Sequence, residues 1–232
     1  MSLRADAVLF DKDGTLFEFG ATWNAWGRDA LRDLSGGDGD ALLALAAASR
    51  FDLEREVFLP DSPIIAGTNR EAAECLAGAL PHLVADEVER YLMLAAAEAP
   101  LVEAAPLVAL MARLDGLGLP LGVMTNDAEF AARAHLRAAG IEQAFRFIAG
   151  FDSGHGAKPD PAPLLAFARA VGMVPERIVM VGDSPHDLTA GRAAGMQTVA
   201  VLTGPIAAEV LAPHADVILP HIGHLPDWLG AA

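Results

Sequence analysis

Cysteine and basic residues are scarce in this chain of 232 residues, and long apolar runs are missing. Cys75 is the only cysteine, which excludes an intrachain disulfide. Lysine and arginine total 16 against 31 acidic residues, the formal net charge is −15, and no basic cluster is present, which argues against a nucleic-acid-binding protein. No uncharged apolar stretch approaches the roughly 18 residues of a membrane span, and residues 1–6 lack the apolar core of a secretory signal. We therefore predict a cytoplasmic protein without nucleic-acid or membrane partners.

Apolar residues are abundant instead, at 53% of the chain, which is enough to bury a sizeable core. Short apolar runs that end on a polar residue recur, and long helical patterns separate them. Such runs predict buried parallel strands connected by helices. The sequence therefore predicts a doubly wound α/β fold whose sheet has six strands, near residues 7–10, 119–124, 145–149, 177–181, 198–202 and 217–219.

Residues 19–99 interrupt this alternation with helical patterns and no convincing strand. Trp23 and Trp26 begin an apolar stripe at helical spacing, which is most simply a core stripe, although both side chains are also candidates to line the inner face of this segment. Thr68 and Glu71 have the spacing of a capping box and predict a helix start. We predict a core domain formed by residues 1–18 and 100–232, with residues 19–99 inserted as an all-helical domain.

Polar residues that belong together chemically follow three of the predicted strands. Asp11 and Asp13 follow the first strand, Thr125 follows a second, and Asp183 with Asp187 follows a third. In open parallel sheets ligands bind beyond the carboxyl ends of the strands, so these side chains should converge. Four carboxylates without a His or Cys cluster favour a hard cation, and Mg²⁺ prefers a few carboxylates together with water and a substrate phosphate.

Phosphoryl transfer also needs hydrogen-bond donors for the phosphoryl oxygens. Lys158 supplies a positive charge, Thr125 supplies a hydroxyl, and the backbone amides near residues 12, 13 and 126 add further donors. A carboxylate can attack phosphorus to form an aspartyl-phosphate, while a second carboxylate protonates the leaving oxygen and later activates water. The predicted reaction is therefore magnesium-dependent phosphoryl transfer with an aspartate nucleophile, and its substrate is left open.

These segments resemble the four motifs of the haloacid dehalogenase superfamily of phosphatases. Residues 11–15 match DxDGT at every fixed position, Thr125 matches the Thr or Ser of the second motif, Lys158-Pro159 matches the third, and residues 182–187 match GDSxxD. The resemblance covers almost the whole chain. The helical insertion is similar to the C1 cap of this superfamily, and the nearest group is the phosphoglycolate phosphatase-like hydrolases.

The resemblance implies catalytic and phosphate-binding roles, position by position. Asp11 would be the nucleophile, and Asp13 would be the general acid/base. Thr125 and Lys158 would hold the phosphoryl group, and Asn126 is a further phosphate-binding candidate, with turn stabilisation as the alternative. The family's dehalogenases lack the second aspartate, so Asp13 favours phosphate chemistry.

The resemblance also implies a set of metal ligands. Asp11 and Asp183 would bind Mg²⁺ directly, and Asp13 would do so through its backbone carbonyl. Asp187 would act directly or through water and Lys158. Ser184 would lie in the outer shell of the metal site, with turn stabilisation as the alternative.

Two features depart from the usual pattern or stay unassigned. Lys12 occupies a position that is often apolar in this group, and we expect its side chain to point away from the site with only its amide facing phosphate. Four arginines in the insertion are candidates for gripping a substrate carboxylate, and no sequence feature singles one out. These are Arg28, Arg50, Arg55 and Arg70.

The leading hypothesis is a phosphatase for a small phosphomonoester, phosphoglycolate-like or a sugar phosphate, acting as a monomer or homodimer. One alternative is a phosphomutase of the same superfamily, and a second is a catalytically silent phosphate-binding protein. A signalling receiver domain uses similar residues, but there the acidic pair follows the first strand and the acceptor aspartate follows a later one. That order and the long helical insertion argue against a receiver.

Overall fold

The computed structural model describes residues 3–230, so residues 1–2 and 231–232 of the predicted core domain lie outside it. The elements follow in the order β1 (Ala7–Phe10), α1 (Phe19–Ser35), α2 (Gly39–Ser49), β2 (Phe51–Asp52), β3 (Val57–Phe58), α3 (Asn69–Ala79), α4 (Ala85–Ala97), α5 (Leu107–Asp115), β4 (Leu121–Met124), α6 (Glu129–Ala138), β5 (Phe147–Ala149), α7 (Ala162–Val171), β6 (Ile178–Gly182), α8 (Pro185–Ala193), β7 (Gln197–Val201), α9 (Ala208–Leu211), β8 (Val217–Leu219) and α10 (Leu225–Gly230). No helix within residues 3–230 is long and apolar enough to cross a membrane.

Six of the strands form one parallel sheet in the order β5-β4-β1-β6-β7-β8. β1 lies in the middle, where Val8 pairs with Leu121 of β4 on one side and with Val179 of β6 on the other. The predicted sheet is therefore confirmed, and its strand ends differ from the prediction by two residues or fewer.

Side chains of the central strands alternate between two layers of the core. On β1, Val8 and Phe10 join one buried cluster with helices α5 and α10, whereas Ala7 and Leu9 join another with α7. Successive strand residues point to opposite faces of a sheet, so both faces of this strand are covered. Burial on both sides explains why the strands read as continuous apolar runs.

Helices α1 to α4 lie between β1 and α5, and their buried residues form a cluster of their own. The prediction of a helical insertion holds except for β2 and β3, which pair antiparallel through Phe51 and Phe58. Two-residue strands are too short to show an alternating pattern, which is why the sequence did not predict them.

The chain enters and leaves the insertion through two segments that run side by side. Phe17 pairs antiparallel with Glu103, and the Glu18 amide donates a hydrogen bond to the Val102 carbonyl at 2.9 Å. We propose on this basis that residues 19–99 form a cap domain on the core, with the boundaries predicted above.

Candidate active site

The carboxyl ends of β4, β1 and β6 bring three of the predicted residues together. Asp11, Thr125 and Asp183 each follow the last residue of one of these strands, and all three are buried. Backbone hydrogen bonds extend the sheet to this edge, from the Asp11 amide to the Val181 carbonyl at 2.8 Å and from the Thr125 amide to the Ala149 carbonyl at 3.0 Å. The sheet itself therefore fixes the relative positions of these side chains.

Lys158, on the loop between β5 and α7, binds the carboxylates from the side. Its Nζ donates to Asp11 Oδ1 at 2.6 Å and to the Met124 carbonyl at 2.8 Å, and it lies 2.7 Å from Asp187 Oδ1. Burial lowers the pKa of Lys158, but the charges of Asp11 and Asp187 outweigh burial and keep this pKa above its ordinary value. Lys158 is therefore a fixed positive charge between two aspartates.

Asp11, Asp183 and Asp187 form an acidic cluster whose oxygens lie within 4.8 Å of one another. Burial raises the pKa of Asp11 to about 7 against the opposing charge of Lys158, and burial together with Asp11 raises the pKa of Asp183. Asp11 Oδ2 is buried and has no hydrogen-bond partner among residues 3–230. One lysine leaves these buried carboxylates undercompensated, and the all-oxygen donor set fits a hard cation.

Two glycines lie so close to the Asp183 carboxylate that a side chain at either position would clash with it. A Cβ on Gly14 or on Gly204 would overlap this carboxylate, and Gly14 also has a φ of 87°, which favours glycine. Gly14 belongs to the predicted motif, whereas nothing in the sequence singled out Gly204. The Asp13 side chain is not part of the acidic cluster. The predicted contact of Asp13 with the metal runs through its backbone carbonyl, and it stays a prediction.

Lys12 and Asp13 form an ion pair next to Asp11. Lys12 Nζ lies 2.7 Å from Asp13 and 3.1 Å from Asp127 Oδ2, and the lysine side chain is fully buried. We expected the Lys12 side chain to point away from the site. Its ammonium instead contacts Asp13, so the expectation is wrong for this group. Lys12 does not line the cavity. The two carboxylates outweigh the lowering effect of burial and raise the pKa of Lys12. Both lysines of the chain, Lys12 and Lys158, are thus buried at this site.

His135 and Trp23 complete the surroundings of the Lys12 ammonium. His135 Nδ1 lies 3.1 Å from Lys12 Nζ, and His135 Nε2 lies 2.7 Å from the Ala96 carbonyl of α4. An ammonium can only donate, so Nδ1 accepts and the proton of the neutral ring sits on Nε2. The Lys12 ammonium also lies 5.3 Å from the centre of the Trp23 ring. Asp127 and His135 were not predicted as site residues.

Thr125 and Asn126 organise the loop after β4. Thr125 Oγ1 accepts a hydrogen bond from the Asp127 amide at 3.1 Å. The Asn126 side chain donates to the carbonyls of Lys158 and Ala66 and accepts from the Lys158 amide at 2.9 Å. The polar atoms of Asn126 therefore tie Lys158 to the cap, so a phosphate contact by this residue would have to come from its backbone amide.

Ser184 and Asp187 form a capping box at the start of α8. Ser184 Oγ accepts from the Asp187 amide, and Asp187 Oδ2 accepts from the Ser184 amide at 3.1 Å. The Ser184 side chain therefore stabilises the start of α8, which is the turn-stabilising role given above as its alternative. The capping box leaves Asp187 Oδ1 to face Lys158.

A cavity of about 70 Å³ opens between this site and the cap. On the scale at which about 10–15 Å³ holds one water, it has room for several. Its core side consists of the carboxylates with Lys158, Thr125 and His186, and its cap side includes Trp23 and Trp26. The two tryptophans therefore both line the cavity and pack against the buried cluster of the cap.

The four candidate arginines of the insertion do not line the cavity. Each pairs with carboxylates elsewhere: Arg28 with Asp29 and Glu56, Arg50 with Asp61, Arg55 with Asp52, and Arg70 with Glu74, Asp86 and Glu89. The expectation that one of them grips a substrate carboxylate is not supported by this geometry.

Comparison with known proteins shows which family this chain resembles. A family model described as haloacid dehalogenase-like hydrolase matches residues 5–195. A phosphoglycolate phosphatase from Xanthomonas campestris is 30% identical over 211 residues, 85% of this chain and 83% of that protein. A phosphoglycolate phosphatase from Rhodospirillum rubrum is 37% identical over 123 residues, 53% of this chain and 51% of its own, so the match spans about half of that relative.

Solved structures agree on the fold. A crystal structure of a haloacid dehalogenase-like hydrolase from Bacteroides fragilis, described there as putative, superposes with a TM-score of 0.72. The match covers 95% of this chain and 99% of that one, at 20% sequence identity. At this identity the likeness supports the shared architecture of core and insertion only.

Proposed function

The chain belongs to the haloacid dehalogenase-like hydrolase family, and from that premise we propose that it is a Mg²⁺-dependent phosphatase of a small phosphomonoester. The observation that carries the proposal is how the two carboxylate oxygens of Asp11 are bound. Asp11 lines the cavity, Lys158 binds its Oδ1, and its Oδ2 is buried with no hydrogen-bond partner among residues 3–230. The names of the two relatives support a small phosphorylated substrate.

Asp11 is the nucleophile in this proposal. Its carboxylate attacks phosphorus, a new bond forms between Asp11 and the phosphoryl group, and the ester bond to the leaving alcohol breaks. Lys158 stays bound to the other Asp11 oxygen and, with Thr125, holds the phosphoryl oxygens as their charge develops.

Asp13 moves the protons. It first gives a proton to the leaving oxygen, which departs as the alcohol. The resulting carboxylate then takes a proton from a water that attacks phosphorus, the bond to Asp11 breaks, and inorganic phosphate leaves. Lys12 acts on this step as a positioning residue, because its contacts to Asp13 and Asp127 fix the Asp13 carboxylate beside the nucleophile.

Asp11 and Asp183, with Asp187 beside them, are the residues that would hold Mg²⁺. Their undercompensated charge and the unpartnered Asp11 oxygen fit this ion. When bound, Mg²⁺ would offset the clustered negative charge and polarise the phosphoryl oxygens. The cap would close the cavity over the substrate and keep bulk water from the phosphorylated aspartate.

Phosphate release from a panel of small phosphomonoesters, measured with Mg²⁺ and with chelator, tests this function. The panel includes phosphoglycolate and several sugar phosphates. We expect Mg²⁺-dependent release of inorganic phosphate. Conversion of a sugar phosphate to its isomer without phosphate release would indicate a mutase, and binding of phosphate without any turnover would indicate a silent binding protein.

A further inference from the structure

Three residues that line the cap side of the cavity have side-chain hydrogen-bond donors without an acceptor among residues 3–230. Trp23 and Trp26 of α1 and Asn69 at the start of α3 line the cavity. The Nε1 atoms of both indoles and Nδ2 of Asn69 are buried, and none has a hydrogen-bond partner among residues 3–230. Buried donors are nearly always paired in folded proteins, so this set indicates the acceptor atoms of a ligand.

The rest of this wall is apolar. Phe19, Phe58, Ile64 and Ile65 line it together with the two tryptophans. The Trp23 and Trp26 rings meet edge to face, with centroids 5.0 Å apart, and the Lys12 ammonium lies against Trp23. The aromatic surface is thus held in place and suits the apolar face of a ligand.

The wall offers no positive charge to an anionic group. Among residues 3–230, Lys158 is the one lysine or arginine that lines the cavity, and it is bound to Asp11 and Asp187. His186 lines the cavity from α8, on the core side. The start of α3 also reaches the cavity, but the Glu71 carboxylate already accepts from the Thr68 amide there at 2.7 Å. A carboxylate on the leaving group would be buried beside the five aspartates that line the cavity, without a counter-charge of its own.

We propose that Trp23, Trp26 and Asn69 form a leaving-group subsite for an uncharged alcohol that carries hydrogen-bond-accepting oxygens and an apolar face. This inference rests on the proposed phosphatase function and narrows it: the substrates are phosphomonoesters of neutral polyols or sugars, and phosphates of hydroxy acids, phosphoglycolate among them, are poor substrates. The bond that breaks joins phosphorus to this alcohol, which leaves neutral with the proton from Asp13, while water supplies the oxygen of inorganic phosphate.

Two matched pairs of substrates test the subsite in the full-length protein with Mg²⁺. The first pair is 2-hydroxyethyl phosphate and 2-phosphoglycolate, and the second is glycerol 3-phosphate and 3-phosphoglycerate. In each pair a hydroxymethyl group replaces a carboxylate. We expect kcat/KM to be at least about tenfold higher for the neutral member, because the carboxylate would be left unpaired. Equal or higher kcat/KM for the hydroxy-acid phosphates would overturn the subsite while leaving the phosphatase function standing.

Variants of Trp26 and Asn69 test whether the cap side of the cavity causes the preference for neutral substrates. Trp26→Phe keeps a ring but removes the indole N–H, and we expect KM for the neutral substrates to rise about threefold to tenfold with kcat little changed. Trp228→Phe makes the same change on α10, away from the cavity, and should change neither constant. Asn69→Lys places a cation in the wall and should shift the preference toward 2-phosphoglycolate. Unchanged KM and preference in both wall variants would contradict the proposal.

A binding measurement separates failure of the subsite from failure of the function. Asp11→Asn removes the proposed nucleophile, so ligands can be titrated by tryptophan fluorescence without turnover. Binding of 2-hydroxyethyl phosphate about tenfold tighter than 2-phosphoglycolate, and loss of that difference on adding Trp26→Phe, supports the subsite. If no phosphomonoester is hydrolysed, the proposed function fails, and this titration still decides the subsite: equal or tighter binding of 2-phosphoglycolate overturns it.

Discussion

The two sides of the cavity differ in how their polar groups are satisfied. On the core side, Lys158 holds Asp11 and Asp187, Lys12 holds Asp13, and their distances are 2.6–2.7 Å. On the cap side, Trp23, Trp26 and Asn69 have hydrogen-bond donors that find no partner in the part of the chain that the structure describes. The core side is thus preorganised before a ligand arrives, as electrostatic catalysis requires, whereas the cap side needs a ligand to be complete. In the proposed function, the reaction takes place on the core side and the cap side selects the substrate.

The largest expected effect comes from removing the centre of the preorganised side. Asp11→Asn should lower kcat by at least about 10³-fold, because no other group replaces the nucleophile. Asp115→Asn, the same change at an exposed position outside the cavity, should leave kcat unchanged. Steady-state phosphate release measures both. Near-normal turnover in Asp11→Asn, together with little effect of Asp183→Ala, would contradict the proposed roles of Asp11 and Asp183.

Lys12→Met should cost both stability and rate. It leaves the buried Asp127 and the half-buried Asp13 without their counter-charge, so the free energy of unfolding should fall by about 3–5 kcal/mol. We expect kcat to fall by about 10²-fold with KM nearly unchanged, because Asp13 loses the partner that positions it.

The control for Lys12→Met is Arg55→Met, which breaks an ion pair whose arginine is 80% exposed. It should change the free energy of unfolding by less than about 0.5 kcal/mol. Denaturant unfolding and steady-state kinetics measure the two variants side by side. A loss below about 1 kcal/mol in Lys12→Met would show that the buried pair does not organise the site.

Mg²⁺ and pH together test the acidic cluster. Because burial raises the pKa values of Asp11 to about 7 and of Asp183, the metal-free folded protein holds protons that the unfolded chain has already lost. Its stability from these groups therefore falls as pH rises from about 4 to about 7, and Mg²⁺ should restore it by replacing the protons.

Thermal unfolding with and without Mg²⁺ measures this effect. The Mg²⁺-induced rise in Tm should be larger at about pH 8 than at about pH 5.5, by at least about 3 °C. Asp183→Asn should abolish the rise. An equal rise at both pH values would contradict the cluster as a metal site.

A further pH effect is expected where core and cap meet, at His135. Burial, with a contribution from the charge of Lys12, lowers the pKa of His135 to about 4. The unfolded chain therefore binds a proton before the folded one does, and stability falls as pH drops from about 6.5 to about 4, by at most about 3 kcal/mol. His135→Gln should flatten this part of the pH dependence in urea unfolding. His82→Gln, at an exposed position, should not, and an unchanged slope in both would contradict the buried neutral ring.

Much of the core side could be predicted from the sequence, because strand ends in a parallel sheet meet at one edge. Asp11, Thr125 and Asp183 each close an apolar run, and the sheet order brings their three strands together. The six strands were predictable for the same reason, since full burial leaves a continuous apolar pattern.

The rest could not be predicted because its partners are distant in the chain. The sequence predicted a Lys12 side chain that points away from the site, because Asp127 and His135, which contact its ammonium, are more than a hundred residues away in the chain. The sequence also gave no sign that carboxylates of the insertion itself pair with its four candidate arginines, Arg28, Arg50, Arg55 and Arg70. The short pair β2 and β3 shows no alternating pattern.

Direct detection of phosphate on Asp11 tests the central claim. In Asp13→Asn the general acid/base is gone, but 4-nitrophenyl phosphate has a leaving group that needs no proton, so the phosphorylated enzyme should form and persist. Acid quenching, digestion and mass spectrometry should then find one phosphoryl group on the peptide that contains Asp11, and none after Asp11→Asn is added. A phosphoryl group on another residue, or none while phosphate is still released, would contradict an aspartyl-phosphate mechanism at this site.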